Sequence, residues 1–168
     1  MKCNLCEVGS FKRICTFRDT PIVNNYKKEK FFVKKTNSEI LFCENCQSIK
    51  NSHDISPSEI FENYSYASFQ TNLLDPIESF IYQICQSKNV NNILEVGCNN
   101  GLFLEKIYDS SNIDIATGVD PSAPKENKDG INFISEFFDE KVIKNHGLAR
   151  KFDLIIARHM FAHVPKPE

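Results

Sequence analysis

The sequence predicts an α/β fold, with a parallel sheet covered on both faces in the C-terminal half and a small separate β module ahead of it. Three observations predict this. From residue 91 onward, apolar runs of strand length alternate with stretches of helical period. Residues 1–50 hold 10 Lys or Arg against 5 Asp or Glu, whereas residues 51–168 hold 10 against 17, so a basic head precedes an acidic body. Both Cys-x-x-Cys pairs of the chain lie in that head. With 168 residues, 41% of them apolar, the chain is long enough for one packed core plus a small module and too apolar to be disordered. No window approaches the roughly 18 apolar residues of a membrane span. The polar start Met1–Gly9 lacks the apolar core of a signal peptide, so a cytoplasmic address without a membrane partner is expected. Under reducing conditions seven cysteines, an odd number, point to metal ligation and free thiols rather than a disulfide framework.

The first element, residues 1–55, is built around Cys3-Asn4-Leu5-Cys6 and Cys43-Glu44-Asn45-Cys46, with 36 residues between the pairs. Each pair suits a tight turn that offers two thiolates to one ion, and four sulfurs at ~2.3 Å complete a closed tetrahedral zinc site. Such a site is structural, because no position is left for water or substrate. A thioredoxin-like redox motif would instead stand alone on a βαβ pattern. Cys15 has no partner at that spacing and is expected as a small buried residue. Phe11–Phe17 and Phe31–Lys35 read as strands around an Asn24-Asn25 turn, giving a zinc-pinned sheet too small to fold without its ion.

Lys27, Lys28, Lys30, Lys34 and Lys35, interleaved with Tyr26, Phe31 and Phe32, have the composition of a nucleic-acid face. The charge excess is modest and no recognition motif accompanies it, so a solvated hairpin is the favoured reading and nucleic acid is not the expected partner. The competing view of the whole chain is a zinc-pinned nucleic-acid or protein binding module fused to a catalytically inactive nucleotide-type fold.

Residues 56–90 form a helical linker. Ser56-Pro57-Ser58-Glu59 has the pattern of a capping box with Pro at the first helical position, predicting a short helix through about Asn63. Asp75-Pro76-Ile77-Glu78 repeats the device, and Ile77, Phe80, Ile81 and Ile84 recur at helical spacing up to about Lys88. The aromatic segment Tyr64-Ser65-Tyr66-Ala67-Ser68-Phe69 between them reads as interdomain packing.

Residues 91–168 supply the α/β unit. Strands are predicted at Asn92–Val96, Ile113–Val119, Ile131–Ile134 and Phe152–Ala157, with helices at Leu102–Tyr108 and from Glu136 to about His146. The last strand, apolar at Leu154 to Ile156, reads as buried on both faces. Ligands in such sheets sit at the carboxyl ends of the strands. The first strand ends in Glu95-Val96-Gly97-Cys98-Asn99-Asn100-Gly101-Leu102, where Gly97 and Gly101 allow a sharp turn and close approach to a ligand. A dinucleotide fingerprint also requires glycine at 99 and 102, where Asn99 and Leu102 stand. The segment resembles instead the first motif of the S-adenosylmethionine-dependent methyltransferases, acidic-x-Gly-x-Gly-x-Gly, matched by Glu95, Gly97 and Gly101 and departing at Asn99. Asp120, 25 positions after Glu95 at the end of the second strand, can accept both ribose hydroxyls of that cofactor. Alone it would read equally well as a cap before Pro121.

Three stretches narrow the resemblance: the double Cys-x-x-Cys head, Tyr64-Ser65-Tyr66-Ala67-Ser68, and Phe152-Asp153-Leu154-Ile155-Ile156-Ala157-Arg158-His159-Met160-Phe161-Ala162-His163-Val164. Together they resemble the zinc-containing sugar C-methyltransferases that act on nucleotide-linked keto-deoxysugars. The likeness runs from Cys3 to Val164, and Asn99 fits it, because those enzymes commonly carry Asn at the middle glycine. It implies a Rossmann-like class I methyltransferase core, partial here with about four parallel strands, behind a small zinc-binding β module. It implies S-adenosylmethionine and Zn2+ as cofactors, with Cys3, Cys6, Cys43 and Cys46 on the metal and Glu95, Gly97, Asn99, Gly101 and Asp120 around the methyl donor. His163 would touch substrate or move a proton, and Tyr64 and Tyr66 would face a nucleotide-sugar. Phe137-Phe138 reads as packing on the sheet. Members of that family continue past the fourth strand, so the missing C-terminal half of a longer enzyme, or a partner chain, is expected to complete the sheet and supply the general base.

Overall fold

The computed structural model describes residues 1–21, 35–53, 56, 76–110 and 112–164. The predicted helix from Ser56 to Asn63, the Tyr64–Phe69 segment, the Asn24-Asn25 turn and the lysines at 27, 28, 30 and 34 lie outside them. The described residues fall into two compact units, an N-terminal one and a second within Ala67–Ala162.

The N-terminal unit is a three-stranded antiparallel sheet in the order β1-β2-β3, with β1 at Phe11–Pro21, β2 at Lys35–Cys43 and β3 at Ile49–His53. Phe11 of β1 pairs with Cys43 of β2, so the start of one strand and the end of the next meet beside the cysteines. The core is correspondingly small: Phe11 and Leu41 with Cys3 and Cys43, and Cys6 packed against them. Of the predicted stretch Phe31–Lys35 only Lys35 lies among the described residues; β2 runs on from it to Cys43, burying Leu41 and Cys43, and its polar start, Lys35 to Glu39, disguises the strand. Cys15 is exposed, not buried as expected. It lies at a register shift of β1, a strand whose residues from Lys12 to Asp19 all face solvent because no second layer covers them.

The second unit opens with α1 at Pro76–Lys88 and carries a four-stranded parallel sheet in the order β6-β5-β4-β7. The strands are β4 (Asn92–Val96), β5 (Ile115–Val119), β6 (Ile131–Ile134) and β7 (Leu154–Ala157), and the further helices are α2 (Leu102–Ser110) and α3 (Glu140–Asn145). This is the partial Rossmann-like arrangement that the alternation of elements predicts. Strand alternation sends Ile93 of β4 into a cluster with Ile81 and Cys85 of α1 and Leu104 and Ile107 of α2. Leu94 and Val96 point the other way, onto Val142 of α3 and Leu148. Each fully buried aliphatic chain, such as Ile93, Leu104 and Ile107, contributes about 1.5–3 kcal/mol. The stretch read as a linker helix is therefore a wall of the core, through Ile81 and Cys85, while Ile77 and Phe80 stay exposed.

Two boundaries differ from expectation. Helix α3 begins at Glu140 rather than Glu136, because Asp139 is its N-cap and accepts from the Val142 amide at 2.9 Å. Phe137 and Phe138 are left in the loop, about 40% exposed. The last strand is not buried on both faces: Ile155 is 61% exposed, since β7 pairs only with β4 among the described residues. At the opposite end of the sheet, Asp153 accepts from the amides of Asn91 and Asn92 at 3.0 and 2.9 Å, which holds its carboxyl below the usual range and ties the start of β7 to the start of β4. No described helix is long and apolar enough to cross a membrane.

Candidate functional site

The parallel register places the carboxyl ends of β4 and β5 side by side, Glu95 opposite Gly118 and Val96 opposite Val119. The chain leaves β4 through a tight loop in which the Gly97 amide donates to the Val119 carbonyl at 2.8 Å and the Gly101 amide to the Cys98 carbonyl at 3.0 Å. Gly97 and Gly101 have φ of +79° and +77°, a region that a Cβ disfavours, and space is short as well. A Cβ on Gly97 would lie 2.8 Å from Cβ of Met160, and one on Gly101 would lie 2.5 Å from the Phe133 ring. Asn99, where the motif's middle glycine is absent, takes φ +51°. Asn is among the few side chains that tolerate the left-handed region, so the substitution preserves the loop.

Asp120 follows β5 directly. Its amide donates to the Ile134 carbonyl, and its Oδ1 accepts from the Ser122 amide at 2.7 Å. No helix follows β5 before β6, so Asp120 is not the helix cap that the sequence offered as an alternative; the contact belongs to a turn, in which the Ala123 amide also donates to the Asp120 carbonyl. Cys98, between the two glycines, is buried with its Sγ against Gly118; burial and the nearby carboxylates of Glu95 and Asp120 push its thiol up, so it packs as a neutral group.

Glu95 is wholly buried, among the apolar residues Ile93, Leu94 and Val96 of its strand. Arg158, just past β7, donates to Glu95 Oε1 from Nε at 3.1 Å and from Nη2 at 2.9 Å. Glu95 Oε2 is buried and has no hydrogen-bond partner among the described residues. Burial dominates and pushes the carboxyl up to about 7; the Arg158 charge and hydrogen bonds oppose it, and Glu78 and Asp120 add to it. Sequence reasoning did not assign Arg158 or Glu78. The signal was there: a carboxylate inside an apolar strand requires a cation, and Arg158 is the first one after the neighbouring strand.

The loop is therefore a cradle with an unpaired buried acceptor, flexible-φ positions at close approach, and a second carboxylate one strand away. Glu95, Gly97, Asn99, Gly101 and Asp120 are brought together. Those acceptors fit a nucleoside bearing ribose hydroxyls and a cationic amine. His163 ends a 3-10 turn at Phe161–His163, is exposed, and groups with the N-terminal unit rather than with this one. Tyr64 and Tyr66 are outside the described residues.

The second constellation is in the N-terminal unit. The sulfurs of Cys3, Cys6, Cys43 and Cys46 all lie within 4.8 Å of one another, with Cys3–Cys46 and Cys6–Cys43 each at 3.8 Å. A tetrahedron of sulfurs ~2.3 Å from its centre has edges of about 3.8 Å, so the donor set fits a zinc ion. The two turns are built alike. The Glu7 amide donates to the Cys3 carbonyl and the Gln47 amide to the Cys43 carbonyl, and Glu7 and Gln47 both take positive φ, +53° and +58°. Gly9 leaves no room for a side chain, since a Cβ would lie 2.7 Å from the Cys43 sulfur. Amide hydrogen bonds from the Gly9 backbone, the Asn45 side chain and the Val8 backbone pull Cys6 down to about 6. Cys43 sits at about 11: the Cys46 backbone amide favours its thiolate, but burial and the neighbouring Cys46 and Cys3 sulfurs outweigh it. Four thiolates cannot share so small a volume without a cation.

Residues 62–168 match the protein family described as "Methyltransferase domain". Two curated proteins of Ilyobacter polytropus are similar over part of the chain. Malonyl-[acyl-carrier protein] O-methyltransferase 1 is 32% identical over 106 residues, covering 58% of this chain and 36% of its own length. Malonyl-[acyl-carrier protein] O-methyltransferase 2 is 36% identical over 107 residues, covering 57% of this chain and 37% of its own. The chain thus spans little more than a third of either relative, and its four-cysteine module lies outside the family match.

Proposed function

The chain belongs to the methyltransferase-domain family, and on that premise we propose that it uses S-adenosylmethionine to methylate the carbon beside the keto group of a nucleotide-linked deoxysugar. The observation that carries the donor half of this reading is the cradle itself: Gly97 and Gly101 at positive φ, Asp120 one strand over, and a buried unpaired oxygen on Glu95. When bound, the donor supplies an electrophilic methyl group. The backbone at Gly97, Asn99 and Gly101 would approach the nucleoside closely, and Asp120 would accept from its ribose hydroxyls. Glu95 would accept from a cationic N–H group. The protein's contribution to rate is then orientation and exclusion of water.

The acceptor half rests on the resemblance of the cysteine pairs, Tyr64-Ser65-Tyr66-Ala67-Ser68 and the Phe152–Val164 stretch to sugar C-methyltransferases. In this reading His163 contacts substrate or moves a proton, Tyr64 and Tyr66 face the nucleotide-sugar, and Zn2+ on Cys3, Cys6, Cys43 and Cys46 is structural. The closed donor set supports that last role, since no ligand position is left open. A second reading is favoured by the relatives, whose names describe O-methylation of a malonyl group on acyl-carrier protein.

Methyl-labelled S-adenosylmethionine separates the two. We expect label on carbon when the full-length protein is given nucleotide-linked keto-deoxysugars, and none on malonyl-acyl-carrier protein. Label appearing only as a malonyl methyl ester would overturn the sugar assignment. Gly97→Val, which places bulk where even a Cβ collides with Met160, is expected to abolish transfer while leaving zinc content unchanged.

A further inference from the structure

We propose that Arg158 is a positioning residue for the methyl donor: it holds one oxygen of Glu95 in a fork and so presents the other, Oε2, as a buried acceptor for the donor's amine, with Glu78 of α1 holding the fork in place. This rests on the methyl-donor reading and assigns a role to two residues that the motif alone does not include.

The geometry is specific. An Arg facing a carboxylate commonly takes both oxygens in a parallel pair. Here Nε and Nη2 converge on Oε1 alone, at 3.1 and 2.9 Å, and Oε2 is left without a partner among the described residues although Glu95 is wholly buried. The remaining guanidinium nitrogen, Nη1, donates to Glu78 Oε1 at 3.3 Å. The guanidinium carbon lies 3.6 Å from the centre of the Phe103 ring, so an aromatic face supports the fork from α2. Three elements fix one side chain: α1 through Glu78, α2 through Phe103, and β4 through Glu95. A fork held this firmly cannot rotate to cover Oε2. A buried acceptor with no partner is rare in a folded protein and marks a place where a ligand's donor is expected.

The charged and titratable groups around Glu95 decide whether Oε2 is an anion. Arg158 after β7 favours the ionised form, and Glu78 of α1 and Asp120 after β5 oppose it. Lys106 of α2 lies 3.7 Å from the other oxygen of Glu78, and Cys98 stays neutral. Removing Arg158 therefore moves the ionisation of Glu95 up, and removing the charge of Glu78 moves it down. An Arg that served the fold alone would shift Glu95 in the same way, but donor affinity would not follow that ionisation.

The test is titration of the zinc-loaded full chain with S-adenosylhomocysteine, by calorimetry between pH 5.5 and 8.5. For the wild type, affinity should rise with pH through a midpoint near 7. In Arg158→Met the midpoint should move up by at least about one pH unit, with at least about tenfold weaker binding at pH 7. In Glu78→Gln it should move down, and Arg158→Lys should lie between the wild type and Arg158→Met. Midpoints that coincide in all four proteins, whatever the affinities, would overturn the positioning role and leave the donor reading intact. No binding by the wild type at any pH would overturn both. Since Arg158→Met removes a buried charge partner and can fail to fold, Glu78→Gln decides alone in that case: a midpoint that stays or rises overturns the proposal.

Discussion

The two units of this protein solve the same problem with different materials. Among the described residues the N-terminal sheet buries Phe11 and Leu41 beside its cysteines, and one of its strands is open to solvent along nearly all its length. The parallel sheet buries all of β4 from Ile93 to Val96 between two apolar clusters, and its polar interior is concentrated in Glu95 and Thr117. One region gathers four sulfurs within 4.8 Å of one another, a set that fits a cation; the other has packing enough to enclose a carboxylate and leave one oxygen without a partner among the described residues. A fold with a large core can carry functional strain, and a fold with a small core spends its side chains on holding itself together.

The sharpest way to break that contrast is Cys43→Ser, or removal of metal with a strong chelator. Structural zinc contributes about 10–16 kcal/mol of apparent free energy in small zinc domains. Hydrogen-exchange protection across β1–β3 should therefore be lost entirely, while the strands of the parallel sheet keep theirs. Exchange mass spectrometry beside a zinc assay reads both, and joint loss in the two sheets would show that they are not independent.

The converse variant, Leu104→Ala, removes a fully buried side chain between α2 and the sheet. It should cost about 2–5 kcal/mol of the second unit's stability, seen in denaturant unfolding, with zinc stoichiometry unchanged.

A pH series sharpens the comparison further. Glu95 titrates at about 7 in the folded chain against an ordinary value of 4.5. Below pH 4.5 both folded and unfolded chains hold the proton; between 4.5 and 7 only the folded chain does, so the stability contributed by protonation is lost as pH rises through that window. The change is at most about 3 kcal/mol, and Glu95→Gln should abolish it in thermal unfolding. Last and smallest, Asp139→Ala removes the N-cap of the six-residue α3 and should lower stability by about 1 kcal/mol.

The strands were more legible than the helix ends. Asn92–Val96 and Ile131–Ile134 are found where the apolar runs predict them, because a strand buried on both faces has nothing but its apolar run to define it. Helix α3 starts four residues later than its periodicity implies, since Phe137 and Phe138 mimic the apolar period of a helix that Asp139 then begins. In the N-terminal unit, β3 was not foreseen at all: Ile49-Lys50-Asn51-Ser52-His53 has one apolar residue, and pairing with β2 rather than burial makes it a strand. The cradle residues were readable because glycines and acids at fixed offsets have few other uses. Arg158 was signalled only indirectly, by the carboxylate inside an apolar strand, and Glu78 not at all, because their pairing joins positions 80 residues apart and only the fold brings them to Glu95.

The central claim is that the ends of β4 and β5 hold a methyl donor. Calorimetric titration of S-adenosylhomocysteine into the zinc-loaded protein tests it most directly, with Asp120→Ala alongside. The account predicts saturable binding of one molecule per chain, lost in the variant while zinc is retained. Absence of binding in the wild type, or undiminished binding by Asp120→Ala, would contradict it.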